Sequence, residues 1–264
     1  MSKKIVPLYG GSQHIEFDDE EHSYRWVEKN IHPPGVTSCL KILQKEALMP
    51  WAAKMTAATY RALVEDYVAT EPFSSFSDWR EAFLKKQGGF EKKAKAEYRL
   101  YSKRAADIGT LAHSYAEALG RGVAPPDISN WPDKAKKAVE KIEEFFEEKA
   151  ITGKPEFVER IVFSMKYFYA GTVDRVGAVE GRKGVYDFKA ASYFDEPYVE
   201  YKMQLAAYAI ALEEEFGITI DHGGIIRLDK LTGKPQLYNV PLTHELKEAF
   251  IRTRGLAQAL LRIQ

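Results

Sequence analysis

Tyr169-Ala-Gly-Thr-Val-Asp174-Arg-Val-Gly177 and, after seven intervening residues, Val185-Tyr-Asp187-Phe-Lys189-Ala190 are the segments around which the chain is organised. Asp174 stands in an apolar run of strand composition, with Thr172, Val173 and Val176 around it. Gly-Arg-Lys-Gly at 181–184 reads as a hairpin turn, and Gly184 to Ala190 as the next strand. Side chains alternate across a strand, so Asp187 and Lys189 point the same way, about 6.6 Å apart along it. In an antiparallel pair Asp174 can lie beside Asp187 on that same face. Two carboxylates and an ammonium then converge where a sheet otherwise buries apolar groups. Buried like charges are costly without compensation, and a divalent cation is the usual compensation. Singly, each of these residues reads as an ordinary surface charge on a half-exposed sheet. Three in register, flanked by Val173, Val185, Tyr186 and Phe188, point to a site.

Bulk composition bounds the remaining readings. A chain of 264 residues with 45% apolar and 29% charged residues is a globular protein with ample core material. Its formal net charge of zero removes any global argument for a polyanionic partner. Cys39 is the single cysteine, which excludes a disulfide framework and a Cys-ligated zinc or iron–sulfur cluster. The longest apolar stretch, Leu205 to Leu212, is too short to span a bilayer. Met-Ser-Lys-Lys-Ile-Val-Pro lacks the apolar run of a signal peptide, so a cytoplasmic location and no membrane partner are expected.

Outward from the centre, residues 13–36 alternate around His14, Phe17, Tyr24 and Trp26 as a small hairpin, with Asp18-Asp19-Glu20-Glu21 as its turn. Pro33-Pro34-Gly35 ends it, and Thr37 or Ser38 is expected to cap a short helix. Trp51 to Tyr67 reads as a helix. Another begins at Ser74–Asp78 and is expected to break at Gly88-Gly89. Across 80–104, nine cations (Arg80, Lys85, Lys86, Lys92, Lys93, Lys95, Arg99, Lys103, Arg104) face three acids (Glu81, Glu91, Glu97). A solvated helix face explains most charge runs. An excess of six in a neutral protein, with Tyr98 and Tyr101 interleaved, points instead to a nucleic-acid track of Lys92, Lys93, Tyr98, Arg99, Tyr101 and Lys103.

On the following helix His113 and Glu117 are four apart and share a face. Asn130-Trp-Pro-Asp opens a helix through Val139, Ile142, Phe145 and Phe146, and Glu156 to Phe163 alternates as a strand carrying Glu159. After Lys189, residues 197–216 form a helix on which Gln204 and Tyr208 are again four apart. Gly223–Leu228 and Leu237–Val240 read as two more paired strands, and Thr243 caps the closing helix.

Gly-x-x-x-His113, Gly-Thr-Val-Asp174-Arg, Asp187-Phe-Lys189 and Gln204-x-x-x-Tyr208, in that order with these elements between them, resemble the RecB-like branch of the PD-(D/E)XK nuclease superfamily. Val173 replaces the motif's proline. The resemblance covers roughly residues 105–230, and the Val-Thr-Ser and Trp51 region is similar to phage-type members of that branch. It implies a mixed α/β restriction-endonuclease-like core at 105–264, a central mixed sheet flanked by helices, and an N-terminal, partly basic helical elaboration over 1–104. In such a family His113, Asp174, Asp187 and the backbone carbonyl of Phe188 bind Mg²⁺ or Mn²⁺, and Lys189 orients the attacking water or offsets charge. Gln204 and Tyr208 position substrate or Lys189, while Glu117 and Glu159 support the metal ligands. The implied activity is a metal-dependent deoxyribonuclease, an exonuclease on single strands or ends, in repair, recombination or phage DNA processing. The sequence has no Gly-Lys-Thr motif, so a helicase or recombination partner would be a separate chain. Two other readings stay open: a binding module of this fold without activity, and a carboxylate–His metal site acting on small phosphates.

Overall fold

The computed structural model describes every residue except 1, 2, 44–47, 73, 132, 150, 152–155, 192–194, 230–233 and 264. It leaves undescribed the side chains of 48–51, 97–110, 112, 113, 134, 135, 138, 190, 262 and 263. The chain divides into two compact units, Met1–Leu43 with Ile108–Gln264, and Gln44–Asp107. The first 43 residues therefore group with the C-terminal unit, a division different from the single expected boundary between 104 and 105.

The larger unit is built on a five-stranded sheet of β4 (Phe157–Ser164), β5 (Tyr169–Val179), β6 (Arg182–Ala191), β7 (His222–Asp229) and β8 (Pro235–Pro241), in that spatial order. All neighbours run antiparallel except β6 and β7, which are parallel. Parallel strands require a crossover, and here it is α5 (Val199–Phe216). Leu205, Ala209 and Leu212 of α5, with Phe250 of α6 (His244–Ile263) and Val36 of α1 (Val36–Leu40), pack against Val173, Val185 and Ile225. Ile142, Phe145 and Phe146 of α4 (Asp133–Glu148) pack with Tyr186, Phe188, Ile226 and Leu228. The expected mixed sheet covered by helices is present.

The N-terminal segment forms an antiparallel three-stranded sheet, β1 (Lys3–Leu8), β2 (Gln13–Asp18) and β3 (Ser23–Trp26). Asp18 accepts the backbone N–H groups of Glu20 and Glu21 at 3.0 and 3.1 Å, which makes the acidic run the expected turn. Leu8, Ile15, Phe17, Tyr24 and Trp26 share a core with Ile161, Phe163 and Ala170 of β4 and β5, and so this sheet belongs to the larger unit.

Three local expectations change. The helix after Pro33-Pro34 starts at Val36 with Gly35 as its N-cap and no side-chain cap, not at Thr37 or Ser38. Pro34 fixes the entry, because its carbonyl accepts the N–H of Ala170 at 3.0 Å. The turn between β5 and β6 is Glu180-Gly181, both at positive φ, with Arg182 already opposite Val179. This two-residue connection suits the twist of the strands. It puts Arg182 to Gly184 in the strand rather than in the turn. Finally, α3 (Phe76–Arg121) runs unbroken through Gly88-Gly89. Phe83 and Phe90 on either side of the glycines pack on Tyr67 of α2 (Leu48–Thr70), with ring centroids 6.3 and 5.5 Å apart. That tertiary packing outweighs the roughly 1 kcal/mol that each helical glycine costs.

Candidate active site

Asp174 and Asp187 lie where the sheet forks. Strands β5 and β6 are paired from Val179↔Arg182 to Arg175↔Tyr186 and no further. Continued by one residue, that register would set Asp174 opposite Asp187. Instead the Asp174 carboxylate takes the place of a ladder partner, accepting the backbone N–H of Phe188 at 2.7 Å. On the other side of β5, the pairs Val158↔Arg175 and Arg160↔Val173 bracket Glu159, which faces Asp174 with its backbone at φ 48°. A left-handed glutamate is strained, and such strain concentrates at functional positions. Glu117, Glu159, Asp174 and Phe188 line one narrow crevice.

Strand periodicity places Asp187 and Lys189 together as expected. Lys189 Nζ is 2.6 Å from Asp187 Oδ2; the aspartate side chain is 1% exposed and that of the lysine 21%. Burial pulls the ammonium toward deprotonation, but the charges of Asp187 and Asp174 outweigh it and hold its pKa above the ordinary lysine value. Lys189 Nζ also lies 5.3 Å from the ring centre of Tyr201.

From α5, Gln204 Nε2 donates to Asp187 Oδ1 at 3.0 Å and to the Tyr208 hydroxyl at 2.7 Å. Asp187 is thus held from two directions, by an ammonium and by an amide. Burial, then the charges of Asp187 and Asp174, push the Tyr208 phenol well above its usual pKa. Because both carboxylates act on Lys189 and on Tyr208, the two acids, the lysine and the Gln-x-x-x-Tyr face form one cluster.

Three residues outside the expected site set contribute here. Gly171 leaves room for Tyr208: a Cβ on it would stand 2.8 Å from the Tyr208 ring and 3.0 Å from Val36. Glu200 is buried one turn before Gln204, so 200, 204 and 208 form a single stripe; its Oε1 has no hydrogen-bond partner among the described residues. The four-residue spacing was the signal for it. Arg227 is the register partner of Lys189 across the parallel pair, buried and bound to Asp229 at 2.8 Å.

Other expected site residues fall elsewhere. The side chains of His113, Tyr98, Arg99, Tyr101 and Lys103 lie outside the described residues, although all five positions are on α3. Lys92 and Lys93 are exposed on α3 with no ion pair among the described residues. Lys85 and Lys86 are neutralised by Glu81 and Glu71, each at 2.6 Å. Glu117 pairs with Arg121 at 2.7 Å. Among the described residues no group of three or more His, Cys, Asp or Glu side chains is set to hold a metal ion, and no helix is long and apolar enough to cross a membrane. The donor chemistry nonetheless fits a hard dication. Two carboxylates against one ammonium leave net negative charge in a mostly buried place, and oxygen is the donor that Mg²⁺ and Mn²⁺ prefer.

The model of the PD-(D/E)XK nuclease superfamily matches residues 79–253. Solved structures similar to the chain include a candidate exonuclease from Eubacterium rectale, 13% identical, with a TM-score of 0.43 over 59% of this chain and 67% of that one. Another is SSO0001, also 13% identical, with a TM-score of 0.33 over 78% of this chain and 86% of the other. No curated protein matches the chain.

Proposed function

Because the chain belongs to the PD-(D/E)XK nuclease superfamily, we propose that it is a metal-dependent deoxyribonuclease, an exonuclease that hydrolyses single strands or DNA ends. One observation carries this reading: Asp187, nearly wholly buried, is held at once by Lys189 and Gln204 beside Asp174 at the fork of the sheet. A buried acid fixed by two donors is pre-organised, and the fold gains nothing from it that an apolar residue would not give.

Asp174, Asp187 and the Phe188 carbonyl, with His113, are the groups that would hold Mg²⁺ or Mn²⁺, which supplies Lewis-acid polarisation of the phosphate and a more acidic water. The rest falls to the chain itself. Lys189 stays protonated beside Asp187 and offsets the charge that grows on the phosphate oxygens, or orients the attacking water. Gln204 fixes the rotation of the Asp187 carboxylate, and Tyr208 fixes Gln204. Glu117 and Glu159 support Asp174 across the crevice, and Glu200 adds a further acid to the α5 stripe. Lys92, Lys93, Tyr98, Arg99, Tyr101 and Lys103 carry the strand by phosphate contact and base stacking. DNA repair, recombination or phage DNA processing in the cytoplasm, with any helicase on a separate chain, is the setting that this activity suits.

The test is digestion of end-labelled single- and double-stranded DNA and RNA with Mg²⁺ or Mn²⁺, by the wild type and by Asp174→Ala, Asp187→Ala and Lys189→Ala. Cleavage of DNA from an end by the wild type and none by the three variants, all still folded, is expected. Wild-type rates in Asp187→Ala would remove the site assignment, and binding without cleavage by the wild type would make the protein an inactive module of this fold.

A further inference from the structure

Arg254, in the middle of α6, is only 4% exposed. Its Nε and Nη2 donate to the Phe168 carbonyl at 3.2 and 2.9 Å, and its Nη1 donates to Gln258 Oε1 at 2.8 Å. These partners orient the guanidinium but bring no negative charge, and among the described residues no carboxylate pairs with it. Arg160 and Arg227 in the same unit are each matched, by Glu215 at 2.6 Å and Asp229 at 2.8 Å. A buried cation without a counter-charge is costly, so its retention calls for an anion from outside the chain.

The surroundings say what kind. Arg254 and Gln258 line a cleft of about 520 Å³ between α6 and the β3–α1 segment, with His22, His32 and Ser38 also on its walls. Glu21, the one acid there, is exposed. Tyr24, Pro33, Pro34 and Phe168 supply apolar and aromatic wall. The volume lies within the range of small-ligand sites and exceeds what a bare phosphate fills. A planar guanidinium matches two phosphate oxygens, and the apolar wall suits the sugar and base attached to them. The cleft also adjoins the strand that bears Asp174: Ala170 donates to the Pro34 carbonyl at 3.0 Å, and the hydroxyls of Tyr24 and Thr172 are 3.0 Å apart.

We propose that this cleft is a binding site for a nucleotide-sized phosphate monoester, with Arg254 as the anion-binding group. The monoester is either the terminal phosphate of a strand or a free nucleoside monophosphate. The site uses none of Asp174, Asp187 or Lys189, and it stands whether or not the protein cleaves DNA.

The 264-residue chain is titrated in chelator with inorganic phosphate, thymidine monophosphate and thymidine, following the ring signals of His22 and His32, assigned through His22→Ala and His32→Ala. Both phosphates should move these signals, the nucleotide at lower concentration, and thymidine should not. Arg254→Gln should weaken nucleotide binding by roughly tenfold or more, the scale of a charged hydrogen bond. Should Arg254→Gln fail to fold, folded Ser38→Ala must weaken binding several-fold for the proposal to hold. Asp187→Ala should bind the nucleotide as the wild type does. Competition by a terminally phosphorylated oligonucleotide, but not by its unphosphorylated twin, assigns the strand end. Competition by neither assigns the free nucleotide. Histidine signals unmoved by either phosphate at millimolar concentration, or moved equally by thymidine, would overturn the proposal.

Discussion

Replacing Gly171 with alanine tests whether the α5 stripe is set by the strand beneath it. The backbone of Gly171 is not in the left-handed region, so alanine brings no conformational strain and any effect is steric. The new methyl carbon would stand 2.8 Å from one Tyr208 ring carbon, 3.0 Å from Val36 Cγ2 and 3.5 Å from a second ring carbon. Tyr208 is 3% exposed and Val36 1%, so neither can swing into solvent. Overpacking of this kind costs about 1–3 kcal/mol. At about 2–4 °C per kcal/mol for a chain near this size, the melting temperature should fall by roughly 2–12 °C. The functional loss should exceed what the lost stability explains, because a displaced Tyr208 pulls Gln204, and Gln204 holds Asp187. Rates are to be compared well below the melting point, where both proteins are folded. Adding Tyr208→Leu to Gly171→Ala should recover stability, since the smaller side chain removes the clash, while cleavage stays low without the hydroxyl. If Gly171→Ala melts and cleaves as the wild type does, the coupling from β5 through Tyr208 to Asp187 is wrong.

Gly88→Ala and Gly89→Ala should do the reverse: a Cβ at either meets nothing within 4 Å, so each should stabilise the helix by about 0.5–1 kcal/mol, read by denaturant titration. Replacing Lys92, Lys93, Arg99 and Lys103 together with alanine should weaken single-stranded DNA binding and flatten its logarithmic salt dependence by about 0.7 per lost contact; an unchanged slope would return this helix to solvent. Burial above all raises the phenols of Tyr24, Tyr115 and Tyr186 to about 12, and lifts Tyr169 and Tyr208 well above the ordinary 10.0. A raised folded-state pKa gives stability that is complete below pH 10 and is lost as pH climbs through the folded value, so unfolding should grow easier between pH 10 and about 12. Ultraviolet titration should show several of the 15 tyrosines still protonated at pH 11 until the chain unfolds.

What the sequence disclosed follows from the range of each interaction. Asp187 and Lys189, two apart, and Gln204 and Tyr208, four apart, were legible because a strand and a helix turn spacing directly into direction. The α5 helix and the β7–β8 pair followed from the same periodicities, whereas the parallel pairing that makes α5 a crossover did not. The Glu180-Gly181 turn was hidden because glutamate seldom adopts positive φ, and Gly181 and Gly184 both looked like turn residues. Gly88-Gly89 misled because packing of Phe83 and Phe90 on Tyr67 decides the helix there, and a sequence shows no such contact. Gly171 acquires its meaning from Tyr208, and Arg254 from what fails to surround it. Neither relation has a local signature.

The N-terminal sheet has a consequence for biosynthesis. Its apolar face, Leu8, Ile15, Phe17, Tyr24 and Trp26, is completed by Ile161, Phe163 and Ala170, which leave the ribosome much later. At about 5–20 residues per second, the interval between Trp26 and Ile161 lasts roughly 7–27 s. For that time a three-stranded sheet with two free edges and an uncovered hydrophobic face must stay apart from its neighbours on the polysome. Slowing translation before Ile161 should therefore raise the demand for a holding chaperone, whereas a pause after Ala170 should not.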